Sequence, residues 1–205
     1  MRSSPILLAL LAAGAAFTAG AAACGDDGGG AGTDAPPGSD PDAAPGDVDA
    51  PPAGEPPGLE GTVAAHNAVR AEVGVGPLTW EPALATIAAN WAAQCVDTEQ
   101  PIGLVDHNAG RSDGYPTYVG ENIYGSGGQA TGTDAVALWA SEKAHYDHAT
   151  NTCAAGQICG HYTQLVWRAT TKVGCALHHC PNLQFGWTVV CDYAPGGNIG
   201  NQSPY

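Results

Sequence analysis

Downstream of Leu59 the chain carries apolar positions at helical spacing. Val63, His66, Asn67, Arg70 and Val73 fall near one face, which predicts a first helix. Leu84, Ile87, Ala88, Trp91 and Cys95 repeat at intervals of three and four, which predicts a second helix with Thr79 as its cap and Cys95 on the buried stripe. A third pattern runs from about Thr133 to Tyr146, and a short fourth from about His161 to Ala169. In the third, Ala135, Leu138, Trp139, Glu142 and Tyr146 share a stripe, so an acid is expected within an apolar face. A desolvated carboxylate needs a partner or a proton.

The period then changes to two. Val173, Cys175 and Leu177 alternate along one stretch, and Phe185, Trp187, Val189, Cys191 and Tyr193 along the next, with Pro181-Asn182 between them. This predicts an antiparallel hairpin. Centred near Leu183, it sets Cys175 opposite Cys191 on one apolar face, at a separation a disulfide bridges. Cys180 lies an odd number of positions from Cys175, so it points to the other face and is free for Cys95. Cys153 and Cys159 then close a local loop. Three such bridges belong in an oxidising compartment.

Composition divides the chain into three zones. Residues 1–23 begin with Arg2, run apolar from Ile6 and end in Ala21-Ala22-Ala23, as a secretory signal peptide does. Cys24 follows directly, and it is the cysteine left over once the other six are paired. We read it as a lipid anchor, since stable attachment takes more than one acyl chain; the alternative is a free thiol on a released protein. The linker, placed at 24–58, holds Asp26, Asp27, Asp34, Asp40, Asp42, Asp47, Asp49 and Glu55 without Lys or Arg, among many Pro, Gly and Ala, and cannot bury a core. Its reach lies between about 30 Å as a coil and about 100 Å if extended. Residues 59–205 suit one globular domain. Their five basic and twelve acidic side chains argue against nucleic acid or anionic headgroups as partners, which leaves a membrane contact only through the N-terminal anchor.

Five motifs follow one another in this domain: His66-Asn67 with Arg70; Gly120-Glu121-Asn122-Ile123; Leu138-Trp139-Ala140-Ser141-Glu142; Gly160-His161-Tyr162-Thr163-Gln164-Leu165-Val166-Trp167-Arg168; and Cys191-Asp192-Tyr193 with Pro195 and Gly197-Asn198. Together they resemble the CAP superfamily of cysteine-rich secretory, antigen five and pathogenesis-related class 1 proteins. The resemblance implies an α+β fold, a three-layer α-β-α sandwich with a central antiparallel sheet, and it agrees with the three disulfides deduced above. It also implies that His107, Glu121, Glu142 and His161 meet in a central cleft. The segment from Asp106 to Val119 carries no strong pattern of its own and separates His107 from Glu121 by more residues than in the plant relatives. Asp192 stands where the family signature prefers an amide or a base, and Thr188 replaces an apolar residue.

Two imidazoles bind zinc or copper well, but catalytic zinc usually has three protein ligands, so a His107 and His161 site should be weak and not required for folding. Glu121 and Glu142 are then candidates to orient the rings or to act as acid and base. No Gly-x-Ser-x-Gly elbow, His-Glu-x-x-His or phosphate-cradling loop occurs, so a nucleophilic hydrolase is disfavoured. Three functions follow from these readings. The cleft holds a small-molecule, lipid or peptide ligand; it is a metal-assisted, peptidase-like hydrolase; or the domain is an envelope interaction module with a structural tetrad. Each places the protein across the cytoplasmic membrane, anchored periplasmically or at the cell surface, or released. The remaining histidines have plainer readings: His145 and His148 are solvated at a helix end, and His178 and His179 lie on opposite faces of a strand, while for His66 the family resemblance implies packing and hydrogen bonding.

Overall fold

The computed structural model describes residues 54–100, 102–200 and 202–205. The signal segment, Cys24 and nearly all of the acidic linker lie outside the described residues. Four helices and six strands follow in the order α1 (Thr62–Glu72), β1 (Thr79–Trp80), α2 (Pro82–Ala92), β2 (Gly120–Ser126), α3 (Gly132–Ser141), β3 (Tyr146–Asp147), β4 (Thr152–Cys153), α4 (Gly160–Leu165), β5 (Lys172–His179) and β6 (Trp187–Ala194). A 3-10 turn over Glu142–His145 continues α3. No helix among these residues is long and apolar enough to cross a membrane.

The main sheet has the order β1-β5-β6-β2. Its β5–β6 hairpin has the predicted register, with Cys175 opposite Cys191 and bonded to it. Cys95–Cys180 and Cys153–Cys159 are the other bridges. The sheet is mixed rather than purely antiparallel, because β1 runs parallel to β5 through Thr79–Lys172 and Trp80–Val173. Thr79 is therefore a strand residue and not the cap of α2. The N-cap of that helix is Glu81, with Pro82 at the first helical position, where its missing N–H costs nothing.

Alternation along the strands feeds two cores. Val173, Cys175, Val189, Cys191 and Tyr193 join Trp139, Tyr162 and Leu165 on the side of α1, α3 and α4. Ala176, Val190 and Ile123 pack against Ala88 and Ala92 of α2 on the other. The helix lies down so closely that a Cβ on Gly174 would come within 2.2 Å of the Ala85 nitrogen. The result is three layers, helices on both faces of one sheet.

Arg70 ties the first layer together. Its buried guanidinium donates to the carbonyls of Gly76, Leu165, Trp167 and Thr170, closing the end of α4 and the turn after it. Burial lowers its pKa to about 10, and an arginine is still charged there at neutral pH. At the start of α1, Glu55 accepts from the N–H groups of Gly61 and Val63.

Three predicted details differ. The second helix ends at Ala92, and Cys95 lies beyond it in the left-handed region (φ 50°), turned toward Cys180 rather than carried on the helical stripe. The third helix ends at Ser141, where the chain tightens into the 3-10 turn. Its buried stripe is Ala135, Val136 and Trp139, while Leu138 is 55% exposed and faces a groove. Phe185 belongs to the hairpin turn, not to the strand, which begins at Trp187.

Candidate functional site

The β2 strand forms one edge of the sheet, and two histidines approach it from separate segments. His107 arrives on the long loop between α2 and β2. Its Nδ1 lies 2.7 Å from Oε1 of Glu121, the second residue of β2, and the same oxygen accepts from the Asn108 N–H at 2.9 Å. The Glu121 side chain is fully buried, while the His107 ring is 56% exposed. His161 arrives on the first turn of α4. Its Nδ1 lies 2.5 Å from Oε1 of Glu142, and the other oxygen of Glu142 accepts from the backbone N–H groups of His161 and Tyr162 at 3.0 and 3.1 Å.

One carboxylate therefore caps α4 and aims its ring at once. A negative group is favoured at that helix end, whose first N–H groups have no helical partners. Trp139 stacks on the His161 ring, with centroids 6.2 Å apart and planes 15° apart, and Asn122 donates from Nδ2 to the His161 carbonyl. The helix bearing His161 is thereby fixed to the strand bearing Glu121.

The structure brings His107 and His161 to the walls of the same space. Both line a cavity of about 250 Å³ with Glu121, Asn122, Gly160 and Asn198, and both line an adjoining one of about 240 Å³ with Leu104 and Ile158. Glu142 and His161 also border an apolar groove of about 290 Å³ whose walls include Leu104, Ile123, Leu138, Ile158 and Phe185. In each pair Nδ1 faces a carboxylate and Nε2 has no protein partner among the described residues, so a ring that donates from Nδ1 turns its Nε2 lone pair to a ligand, which is the way protein imidazoles are usually prepared for a metal.

Among the described residues no third ligand atom completes a cluster with either pair. Among the described residues, the one group of three close enough to share an ion is Cys95, His178 and Cys180, mutually within 4.8 Å, and there the two sulfurs are already bonded to each other. Three other histidines are engaged elsewhere. His148 stacks on Tyr205 and His179 on Trp187. His66 is buried between the Thr62 carbonyl at Nδ1 and the Tyr193 hydroxyl at Nε2. Desolvation lowers the His66 pKa to about 4, so this ring is neutral.

Two residues matter more than their sequence context suggested. Asp192 stands directly opposite Glu121 in the β2–β6 register, is wholly buried, and has no partner for either oxygen; the second oxygen of Glu121 is also buried and unpartnered. Desolvation, reinforced by the nearby Glu121 charge, raises the Asp192 pKa to about 8. The signal was present in the alternation of β6: Cys191 and Tyr193 face one core, so the residue between them faces the other. Arg111 lies in the stretch that showed no pattern. It donates from Nε to the Val119 carbonyl, from Nη1 to the Asn108 carbonyl and from Nη2 to the Tyr118 hydroxyl, bracing the loop that carries His107.

Residues 63–193 match the family described as CAP, cysteine-rich secretory protein family. Pathogenesis-related protein 1B of Nicotiana tabacum is 47% identical over 142 residues, which cover 69% of this chain and 77% of that protein. Pathogenesis-related protein 1 of Arabidopsis thaliana is 44% identical over 144 residues, covering 70% and 80%. Among solved structures, venom allergen-like protein 4 of Schistosoma mansoni superposes with a TM-score of 0.54 at 26% identity, covering 73% of this chain and 94% of that one. The crystal structure of NaASP2 with Zn2+ has a TM-score of 0.57 at 24% identity, covering 76% and 88%, and shares the fold.

Proposed function

Since the chain belongs to the cysteine-rich secretory protein (CAP) family, we propose that it works outside the cytoplasm as a binding module. Its cleft takes a small apolar or peptidic ligand, with a divalent ion held weakly by His107 and His161. The observation that carries this reading is the pairing of each imidazole, through Nδ1, with its own carboxylate on the wall of one shared space beside an apolar groove. An apolar wall with a few converging polar groups is the usual composition of a small-ligand site.

The same geometry weighs against the hydrolase. Both oxygens of Glu142 are committed to three donors, and Glu121 is buried with one oxygen committed to two. Carboxylates so engaged orient rings rather than accept protons from water. Cys24 as a lipid anchor, with the acidic linker as a tether, completes the proposal and matches the secretory character of the family.

Calorimetry with zinc near neutral pH tests the metal part. Heat that disappears in both His107→Ala and His161→Ala supports it, whereas binding unchanged in either variant removes that residue as a ligand. Native mass spectrometry of protein isolated without detergent tests the cleft. A stoichiometric small molecule, lost on Phe185→Asp, is the expected result, and its consistent absence counts against a ligand-binding module. Radiolabelled lipid precursor incorporated into the wild type and not into Cys24→Ser tests the anchor.

A further inference from the structure

On the reading that the cleft binds a small ligand, we infer that Arg111 and Tyr118 form an anion subsite at its polar end. The ligand is then an amphiphile that sets a carboxylate against Arg111 and its apolar body toward Phe185.

The spaces along β2 adjoin one another, and neighbours share lining residues. Leu104, Ile123 and Ile158 line both the apolar groove and the space beside the imidazoles. His107, Glu121 and Asn198 line both the imidazole cavity and a further polar one of about 340 Å³, which also reaches Arg111, Tyr118 and Gln164. The trough therefore grades from apolar at Phe185, through two imidazoles, to a guanidinium.

That guanidinium is pre-set. Its three bonds to Val119, Asn108 and Tyr118 use one hydrogen on each nitrogen, and the plane lies near the Tyr118 ring, 5.8 Å from its centroid. One N–H on each terminal nitrogen remains for the oxygens of an anion. Among the described residues Arg111 has no carboxylate within ion-pair distance, whereas Lys143 and Lys172 are paired with Glu72 and Glu81, and Arg70 is buried among carbonyls. Arg168, which also lacks an ion pair, lines a different cavity.

Two neighbouring carboxyls do not claim it. Glu121 is occupied by His107 and the Asn108 N–H, and Asp192, whose pKa is raised to about 8, is neutral at pH 7. The folded domain as a whole is acidic, so its long-range field repels anions. A preference for an anionic ligand must therefore arise locally.

The test titrates the full chain at pH 7.5 with decanoate, 1-decanol and decyltrimethylammonium, below their micellar concentrations, following the fluorescence of Trp139 and its neighbours. Decanoate is expected to bind about 10-fold tighter than decanol, as a charge-assisted hydrogen-bonded pair allows, and the ammonium weakest. Arg111→Gln should make decanoate and decanol equal. Arg111→Lys, which keeps the charge and loses the fork, should retain an intermediate preference and serves as the second variant should the first fail to fold. Equal binding of decanoate and decanol by the wild type, or a preference that survives Arg111→Gln, overturns the subsite. If Phe185→Asp meanwhile abolishes binding, the cleft reading stands alone. If no probe binds, or Phe185→Asp changes nothing, the cleft reading falls and the subsite with it.

Discussion

The two faces of β6 bury polar groups in opposite ways. On the side of α1, Tyr193 donates its hydroxyl to His66 and accepts from Asn122, while His66 passes its other nitrogen to the Thr62 carbonyl. Every member has a partner. One residue earlier, on the side of α2, Asp192 and Thr188 are equally buried and have none, and Asp192 faces Glu121 across the strands. The first face solves desolvation by hydrogen bonding, and the second by holding a proton. Burial by itself, then, does not decide how a polar residue will respond to mutation or pH.

The largest expected effect comes from removing a donor on the satisfied face. Arg70→Leu leaves four carbonyls without their guanidinium and should cost on the order of 3–5 kcal/mol in a denaturant melt. A loss under about 1 kcal/mol would mean that water replaces the clamp.

Asp192→Asn should do the reverse. Between pH 3.8 and about 8 the native chain holds a proton that the unfolded chain has released, so the stability penalty grows as pH rises through that window. The amide removes it, with an expected gain of about 2–4 kcal/mol at pH 8 that vanishes below pH 4. No gain at pH 8 would show that Asp192 has found a partner there. His66 has the opposite sign. Its pKa falls from 6.5 to about 4 on folding, so the unfolded chain gains a proton that the native ring refuses, and stability drops as pH falls through that range. The acid-side loss should reach about 3 kcal/mol and be absent in His66→Gln. Tyr193→Phe, which interrupts the relay with little change in volume, should cost only about 1–2 kcal/mol at neutral pH.

This contrast also marks the limit of what the sequence disclosed. The β5–β6 hairpin was legible because alternation, the turn at Pro181-Asn182 and two cysteines in register all point to one pairing. The tetrad was legible only by resemblance, since His107 and Glu121 belong to different segments and no local periodicity relates them. Leu138 was misplaced because the buried face of α3 centres on Ala135, Val136 and Trp139, which leaves Leu138 at its margin, over the groove. Asp192 was visible as a departure from the family signature, but its burial follows from β6 being an inner strand of the sheet. Arg111 gave no sign at all. Its partners are backbone carbonyls, and carbonyls leave no trace in a sequence.

The Cys153–Cys159 bridge has a bearing beyond stability. It encloses Ile158, which is 65% exposed at the groove, and ends at the residue from which α4 and His161 depart. Cys153 lies at the surface, while Cys175 and Cys191 are sealed in the core. A mild thiol reagent thus meets the cleft's rim before it meets the fold, and gentle reduction offers a way to slacken the mouth while the scaffold stays intact.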